Sequence, residues 1–264
     1  MPEHAWALVI LGLLAGMLSG MFGIGGGVII VPALTVLLGF ELQVAIGTSL
    51  AVLIWPVSFF AVLAYYRARL LNVAPAALIA IGLVGGGVVG AQIALNLPGA
   101  TLQRVYGIFL IYTGWRFIEP RKLWAARRVN GLSPAPNPNT GAPPEVPWYV
   151  LLGVGLGAGV ASGLFGIGGG LVIVPALIAL LRFDQKRAVG TSLGALLPPV
   201  GIGAVLSYYE ADEIDLAASV FVALGLIFGA FLGARIALGL PSATVKRLYG
   251  AFLIAVSLRF IFQL

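Results

Sequence analysis

The sequence predicts an all-α polytopic membrane protein made of two inverted-topology repeats, each with about five hydrophobic segments. Three observations carry this. Of 264 residues, 60% are hydrophobic and only 9% are charged, against roughly 25% charged in a typical soluble domain. Ser19-Gly-Met-Phe-Gly-Ile-Gly-Gly-Gly-Val-Ile-Ile-Val-Pro-Ala-Leu34 returns 143 residues later as Ser162-Gly-Leu-Phe-Gly-Ile-Gly-Gly-Gly-Leu-Val-Ile-Val-Pro-Ala-Leu177, with 13 of 16 positions identical. Equivalent loops of the two copies carry opposite charge, as a chain threaded twice in opposite senses requires under the positive-inside rule.

The duplication runs without a gap. Gly47-Thr-Ser-Leu50 returns as Gly190-Thr-Ser-Leu193, Tyr65-Tyr66 as Tyr208-Tyr209, and Arg104-Val-Tyr-Gly107 as Arg247-Leu-Tyr-Gly250. It divides the chain into a first transmembrane repeat (1–118), a linker (119–146) and a second repeat (147–264). Residues 1–6 lack the basic start of a secretory signal, so the first apolar run is expected to stay in the mature fold.

In the first repeat, segment one covers about residues 6–20 and segment two about 28–38, with the glycine motif between them. At 1.5 Å per residue both are short for full spans, so they are expected to form a re-entrant or broken hairpin. Segment three covers about 45–65, segment four about 73–95 and segment five about 102–118. The total expected is roughly eight to ten transmembrane helices. In the linker, Arg121, Lys122, Arg127 and Arg128 precede a proline-rich stretch, which reads as a solvated tether.

The loop after segment three is basic in the first repeat (Arg67, Arg69) and acidic in the second (Glu210, Asp212, Glu213, Asp215). The loop after segment two carries Glu41 in the first repeat and Arg182, Lys186 and Arg187 in the second. Placing the basic loops and linker in the cytoplasm puts both termini outside, with Arg104 as the main exception. A parallel pair of repeats, with the glycine region breaking a single helix, fits these charges less well.

Gly23, Gly25, Gly26 and Gly27, with Gly166, Gly168, Gly169 and Gly170, are poor helix-interior residues, each costing about 1 kcal/mol relative to alanine. Unwound backbone at membrane depth is tolerated where it is enclosed by protein or lines a cavity. A break ahead of a half-helix offers free N–H groups and a positive dipole end to an anion, and a pair of such breaks is a recurrent transporter device. The alternative is that the glycines only let helices pack closely. The motif is not a phosphate loop, since Val28 and Leu171 stand where Lys would be needed.

Thr48 and Ser49, repeated as Thr191 and Ser192, are candidate neutral donors to an anion, or else bond only to helix carbonyls. Ser19 and Ser162 are weaker candidates of the same kind. Arg235, late in segment four where the first repeat has Gln92, either pairs with an anionic substrate or snorkels to the membrane face.

No Asp or Glu falls inside an apolar segment, the single His is His4, and there is no Cys. A metal site, a Ser-His-Asp constellation and an intramembrane carboxylate relay therefore have no carriers. No enzyme activity and no cofactor are expected. The basic residues form no stripe with interleaved aromatics, so no nucleic-acid partner is expected.

The doubled glycine motif, with Pro32 and Pro175 after it and the Gly-Thr-Ser-Leu elements following, resembles the TauE/SafE family of sulfite exporters, also called the toluene sulfonate uptake permease group. The resemblance covers nearly the whole chain apart from the linker. It implies movement of small sulfur-containing anions such as sulfite, sulfonates or sulfoacetate across the bacterial inner membrane. It assigns the site to the eight motif glycines and the two Thr-Ser pairs. The expected function is a secondary transporter or facilitator for such an anion, with the bilayer as its surroundings and H+ or Na+ open as coupling ion. The alternatives are a membrane assembly component that moves no solute and a channel for another small anion. No oligomeric state follows from the sequence.

Overall fold

The computed structural model describes residues 5–22, 25–56, 58–118 and 146–239, with residues 254, 257 and 258. Among these there are eleven helices and no strands. The first repeat gives α1 (Ala5–Phe22), α2 (Gly27–Leu38), α3 (Leu42–Ile54), α4 (Phe59–Arg67), α5 (Val73–Asn96) and α6 (Gly99–Ile118). The second gives α7 (Trp148–Phe165), α8 (Gly170–Ala179), α9 (Gln185–Ala195), α10 (Ile202–Glu210) and α11 (Leu216–Gly239).

The 143-residue offset governs the backbone as well as the sequence. Each of α7 to α11 starts 143 residues after its counterpart among α1 to α5. The left-handed residues also pair: Gly25 with Gly168, Gly26 with Gly169, Gly39 with Arg182 and Arg69 with Asp212.

The chain divides into two compact units, residues 1–97 with 144–240 and residues 98–143 with 241–264. The larger holds the first four segments of both repeats. Of the smaller, α6 is the described helix. Residues 119–145 of the linker, and Lys246, Arg247 and Arg259 in the last segment, lie outside the described residues.

Among the described residues, four helices are long and apolar enough to cross a membrane: α1, α5, α7 and the 216–236 stretch of α11. Counting α3 and α4 as one span bent by 50° makes five. Segment one, expected to be short, is a full 18-residue helix. The shortness is confined to the second half of each hairpin, α2 with 12 residues and α8 with 10. Pro32 and Pro175 lie inside these helices rather than ending them.

Segment three, expected as one run over 45–65, is two helices. Trp55 is extended at φ −63°, ψ 146°, the conformation that a following proline imposes. Pro56 cannot supply the N–H that would continue α3. The second repeat breaks at the same place, where Pro198-Pro199 lies between α9 and α10.

Packing in the larger unit crosses between the repeats. On α1, a Cβ at Gly12, Gly16 or Gly20 would collide with the carbonyl oxygen of Val222, Leu226 or Ala230 on α11. On α11, a Cβ at Gly225, Gly229 or Gly233 would collide with that of Val9, Leu13 or Met17. The partners advance together along both chains, so the two helices run parallel. The second such pair is α5 with α7. There Gly82, Gly86 and Gly90 lie on the carbonyls of Leu152, Leu156 and Val160, and Gly155, Gly159 and Gly163 on those of Ile79, Leu83 and Gly87. Small residues every fourth position give each helix a flat face, and two such faces bring the backbones into contact.

Candidate functional site

The glycine breaks lie between α1 and α2 and between α7 and α8. Gly166 ends α7 in the left-handed conformation at φ 68°, its N–H donating to the Ser162 carbonyl at 2.7 Å. Gly26 (φ 80°) and Gly169 (φ 81°) stand just ahead of α2 and α8. Left-handed backbone strains a residue that bears a Cβ, so these glycines make the chain turn.

The two breaks meet. A Cβ at Gly25 would lie 3.6 Å from the Gly168 Cα, and one at Gly168 would lie 3.7 Å from the Gly25 Cα. Gly27 abuts the Gly166 carbonyl closely enough to exclude any side chain. All the described motif glycines, Gly25, Gly26, Gly27, Gly166, Gly168, Gly169 and Gly170, are buried. Gly23 lies outside the described residues.

A small cavity of about 20 Å³ opens where the breaks meet, room for about one water molecule. Gly25, Gly168, Ser19, Ser162 and Ser58 line it, among apolar residues that include Leu50, Leu53, Leu193 and Leu196. Leu53 and Leu196 occupy equivalent positions. Leu53 Cδ1 is 2.7 Å from where a Gly168 Cβ would be, and Leu196 Cδ1 is 3.4 Å from where a Gly25 Cβ would be. Each repeat thus lays a leucine over the other repeat's break.

Thr48, Ser49 and Thr191 bond across to the other repeat. The Asp215 N–H, just ahead of α11, donates to Thr48 Oγ1 at 2.9 Å. The Asn72 N–H, just ahead of α5, donates to Thr191 Oγ1 at 3.3 Å. Gly47 and Gly190 let this happen, because they lie on the carbonyls of Glu213 and Leu70 with no room for a Cβ. Ser49 Oγ donates to the Gly166 carbonyl at 2.8 Å, and Tyr208 OH donates to the Gly163 carbonyl at 3.0 Å. None of the four Thr and Ser residues lines the cavity; all are fully buried, and Ser49 reaches a break at the Gly166 carbonyl.

Arg235 is exposed and stacks on Phe231, its Cζ 4.5 Å from the ring centroid. It is not among the cavity-lining residues. Its counterpart Gln92 donates instead to Ser207 Oγ at 3.4 Å. Ser58 was not singled out from the sequence. Its one signal there is a hydroxyl two residues after the helix-breaking Pro56.

Charge is segregated around the same core. The half-buried Glu213 carboxyl is pushed above its ordinary range by burial, then by repulsion from Glu41 and from Asp212. The loop before α3 therefore shares its surroundings with the acidic loop before α11. Among the described residues, no group of His, Cys, Asp or Glu is arranged to hold a metal ion.

The family model described as "Sulfite exporter TauE/SafE" matches residues 8–260. A probable membrane transporter protein of Bacillus subtilis, YunE, is 30% identical, over 97% of each chain. One of Methanocaldococcus jannaschii is 29% identical, over 87% of this chain and 85% of its own. One of Xylella fastidiosa is 28% identical, over 96% of this chain and 93% of its own. No solved structure matches the chain.

Proposed function

The chain belongs to the sulfite exporter TauE/SafE family of membrane transporters, and on that premise we propose that it moves a small sulfur-containing anion of the sulfite, sulfonate or sulfoacetate type through the point where the two glycine breaks meet. The observation that carries this reading is the cavity between Gly25 and Gly168, bounded by unwound backbone from both repeats. Short helices begin just beyond each break, so their amide ends supply positive potential without a charged side chain. Gly23, Gly26, Gly27, Gly166, Gly169 and Gly170 shape the breaks. Thr48, Ser49, Thr191 and Ser192 fix them in place, and Arg235 acts on the anion before entry or after exit.

At about 20 Å³ the cavity is too small for a polyatomic oxyanion, so this conformation is a closed one and Leu53 and Leu196 must swing aside to admit substrate. The two sequence repeats are not the moving bodies, because α1 is zipped to α11 and α5 to α7. Each zipped pair takes one helix from each repeat, and alternating access is assigned to one pair rocking against the other.

The inverted arrangement is supported by the loops. Residues 47–48 dock on 213–215, and residues 190–191 dock on 70–72. With α3–α4 crossing as one bent span, the equivalent loops 68–72 and 211–215 fall on opposite faces. The inner membrane is the proposed location, with the basic loops and linker cytoplasmic and both termini outside. H+ or Na+ remains the proposed coupling ion.

Purified protein in liposomes tests the reading. Radiolabelled sulfite, a sulfonate or sulfoacetate should enter, and preloaded anion should accelerate entry by exchange. Flux without exchange would indicate a channel. No flux with any of the three, under proton or sodium gradients, would remove the transport role.

A further inference from the structure

Ser58 stands at the position just ahead of α4, where a serine normally caps the first turn through its side chain. It makes no such bond. Its Oγ is buried without a hydrogen-bond partner, in a residue only 5% exposed, and the residue lines the cavity between the glycine breaks. A buried hydroxyl without a partner is costly, and one facing a cavity points to something that fills it. The equivalent position in the second repeat is Gly201, with nearly the same backbone: φ −79°, ψ −4° against φ −87°, ψ −1° at Ser58. The cavity is therefore pseudo-symmetric in its glycines, its leucines and its Ser19–Ser162 pair, and asymmetric in this one donor.

Resting on the proposed transport reading, we infer that Ser58 is a substrate-binding residue and that, among the anions of that reading, the site selects the singly charged ones, simple sulfonates or hydrogensulfite, over the doubly charged ones, sulfoacetate included. The reason is the composition of the wall. Among the described residues lining the cavity, the polar side chains are serines and none is charged. The electrostatic cost of taking an ion out of water rises with the square of its charge. Hydroxyls and helix amides offset the desolvation of one negative charge far better than of two, and no Lys or Arg is at hand to neutralise the second. One oxygen of the anion accepts from Ser58 Oγ–H, and the others face Ser19, Ser162 and the glycine backbone.

The test uses the full-length protein in detergent and two tetrahedral sulfur anions, methanesulfonate with one charge and sulfate with two. Calorimetric titration of the wild type should give methanesulfonate at least about tenfold tighter than sulfate. Ser58→Ala should weaken methanesulfonate about tenfold, the usual scale for one hydrogen bond to a charged group, with an unchanged melting temperature. Ser58→Gly copies the residue found at position 201, and should lose the same affinity if the alanine variant folds poorly. Wild-type affinity in both variants would assign the hydroxyl to a bound water and overturn its role. Sulfate binding as tightly as methanesulfonate would overturn the charge selection. Either result alongside wild-type methanesulfonate flux in liposomes would leave the transport reading standing. Absence of both binding and flux for every sulfur anion would remove that reading as well.

Discussion

The glycines of the two zippers and those of the two breaks are the same residue used for different physical ends. In the zippers, Gly12, Gly16 and Gly20 on α1 and their counterparts keep ordinary helical backbone, and the missing side chain lets a neighbouring carbonyl come close. In the breaks, Gly25, Gly26, Gly168 and Gly169 have φ between 74° and 83°, and the missing side chain lets the chain turn. The first use requires space outside the helix and the second requires conformational freedom. Close approach accounts for the zipper glycines, and chain reversal for Gly25, Gly26, Gly168 and Gly169.

The largest expected effect comes from filling a zipper. Gly86→Val sets its side chain against the Leu156 carbonyl, and should cost several kcal/mol, or on the order of 10 °C in melting temperature. Its neighbour Gly85 has nothing within 4 Å of a built Cβ, and Gly85→Ala should be neutral or stabilising by up to about 1 kcal/mol. A thermal melt of both variants compares one helix with itself.

Next come the breaks. Gly168→Ala should cost about 1–2 kcal/mol for left-handed backbone. Gly39→Ala carries the backbone strain alone, at φ 72° with nothing within 4 Å, whereas Gly168→Ala must also displace Leu53 Cδ1, so in a denaturation series the Gly39 variant should cost no more than the Gly168 variant.

Smaller again is the Thr48 cap on the Asp215 N–H. Thr48→Val should lose about 1 kcal/mol of stability and Thr48→Ser much less. If both variants instead keep stability and lose anion affinity, Thr48 belongs to the site directly.

The smallest effect concerns Glu213. Its carboxyl titrates above its ordinary range in the folded protein, so the folded state holds that proton more tightly than the unfolded chain. The resulting stability is present at low pH and is lost as pH rises through the raised value. Glu213→Gln should therefore flatten the fall in melting temperature on the alkaline side of the carboxylate range.

Much of this was legible in the sequence. The constant 143-residue offset placed each of α7 to α11 once the first repeat was read, because equivalent residues meet equivalent surroundings. The glycine breaks were legible from local backbone chemistry alone. The split in segment three was signalled by Pro56 and Pro198-Pro199, but a continuous apolar run outweighed a single breaker. The zipper residues recur at every fourth position in segments one and four, yet which helix faces which is a tertiary matter that no local pattern carries. For the same reason the bonds of Thr48, Ser49 and Thr191 to the other repeat are not legible in a sequence that offers them only as donors to an anion or to helix carbonyls. Ser58 was silent because what marks it is a missing capping bond.

The most direct test of the central claim is radiolabelled sulfite or methanesulfonate flux through liposomes containing wild type, Gly168→Ala or Gly39→Ala. If the breaks form the pathway, Gly168→Ala should lose most of the flux while Gly39→Ala, with comparable backbone strain, keeps it. Equal flux through all three would contradict the claim and leave the breaks as turns alone.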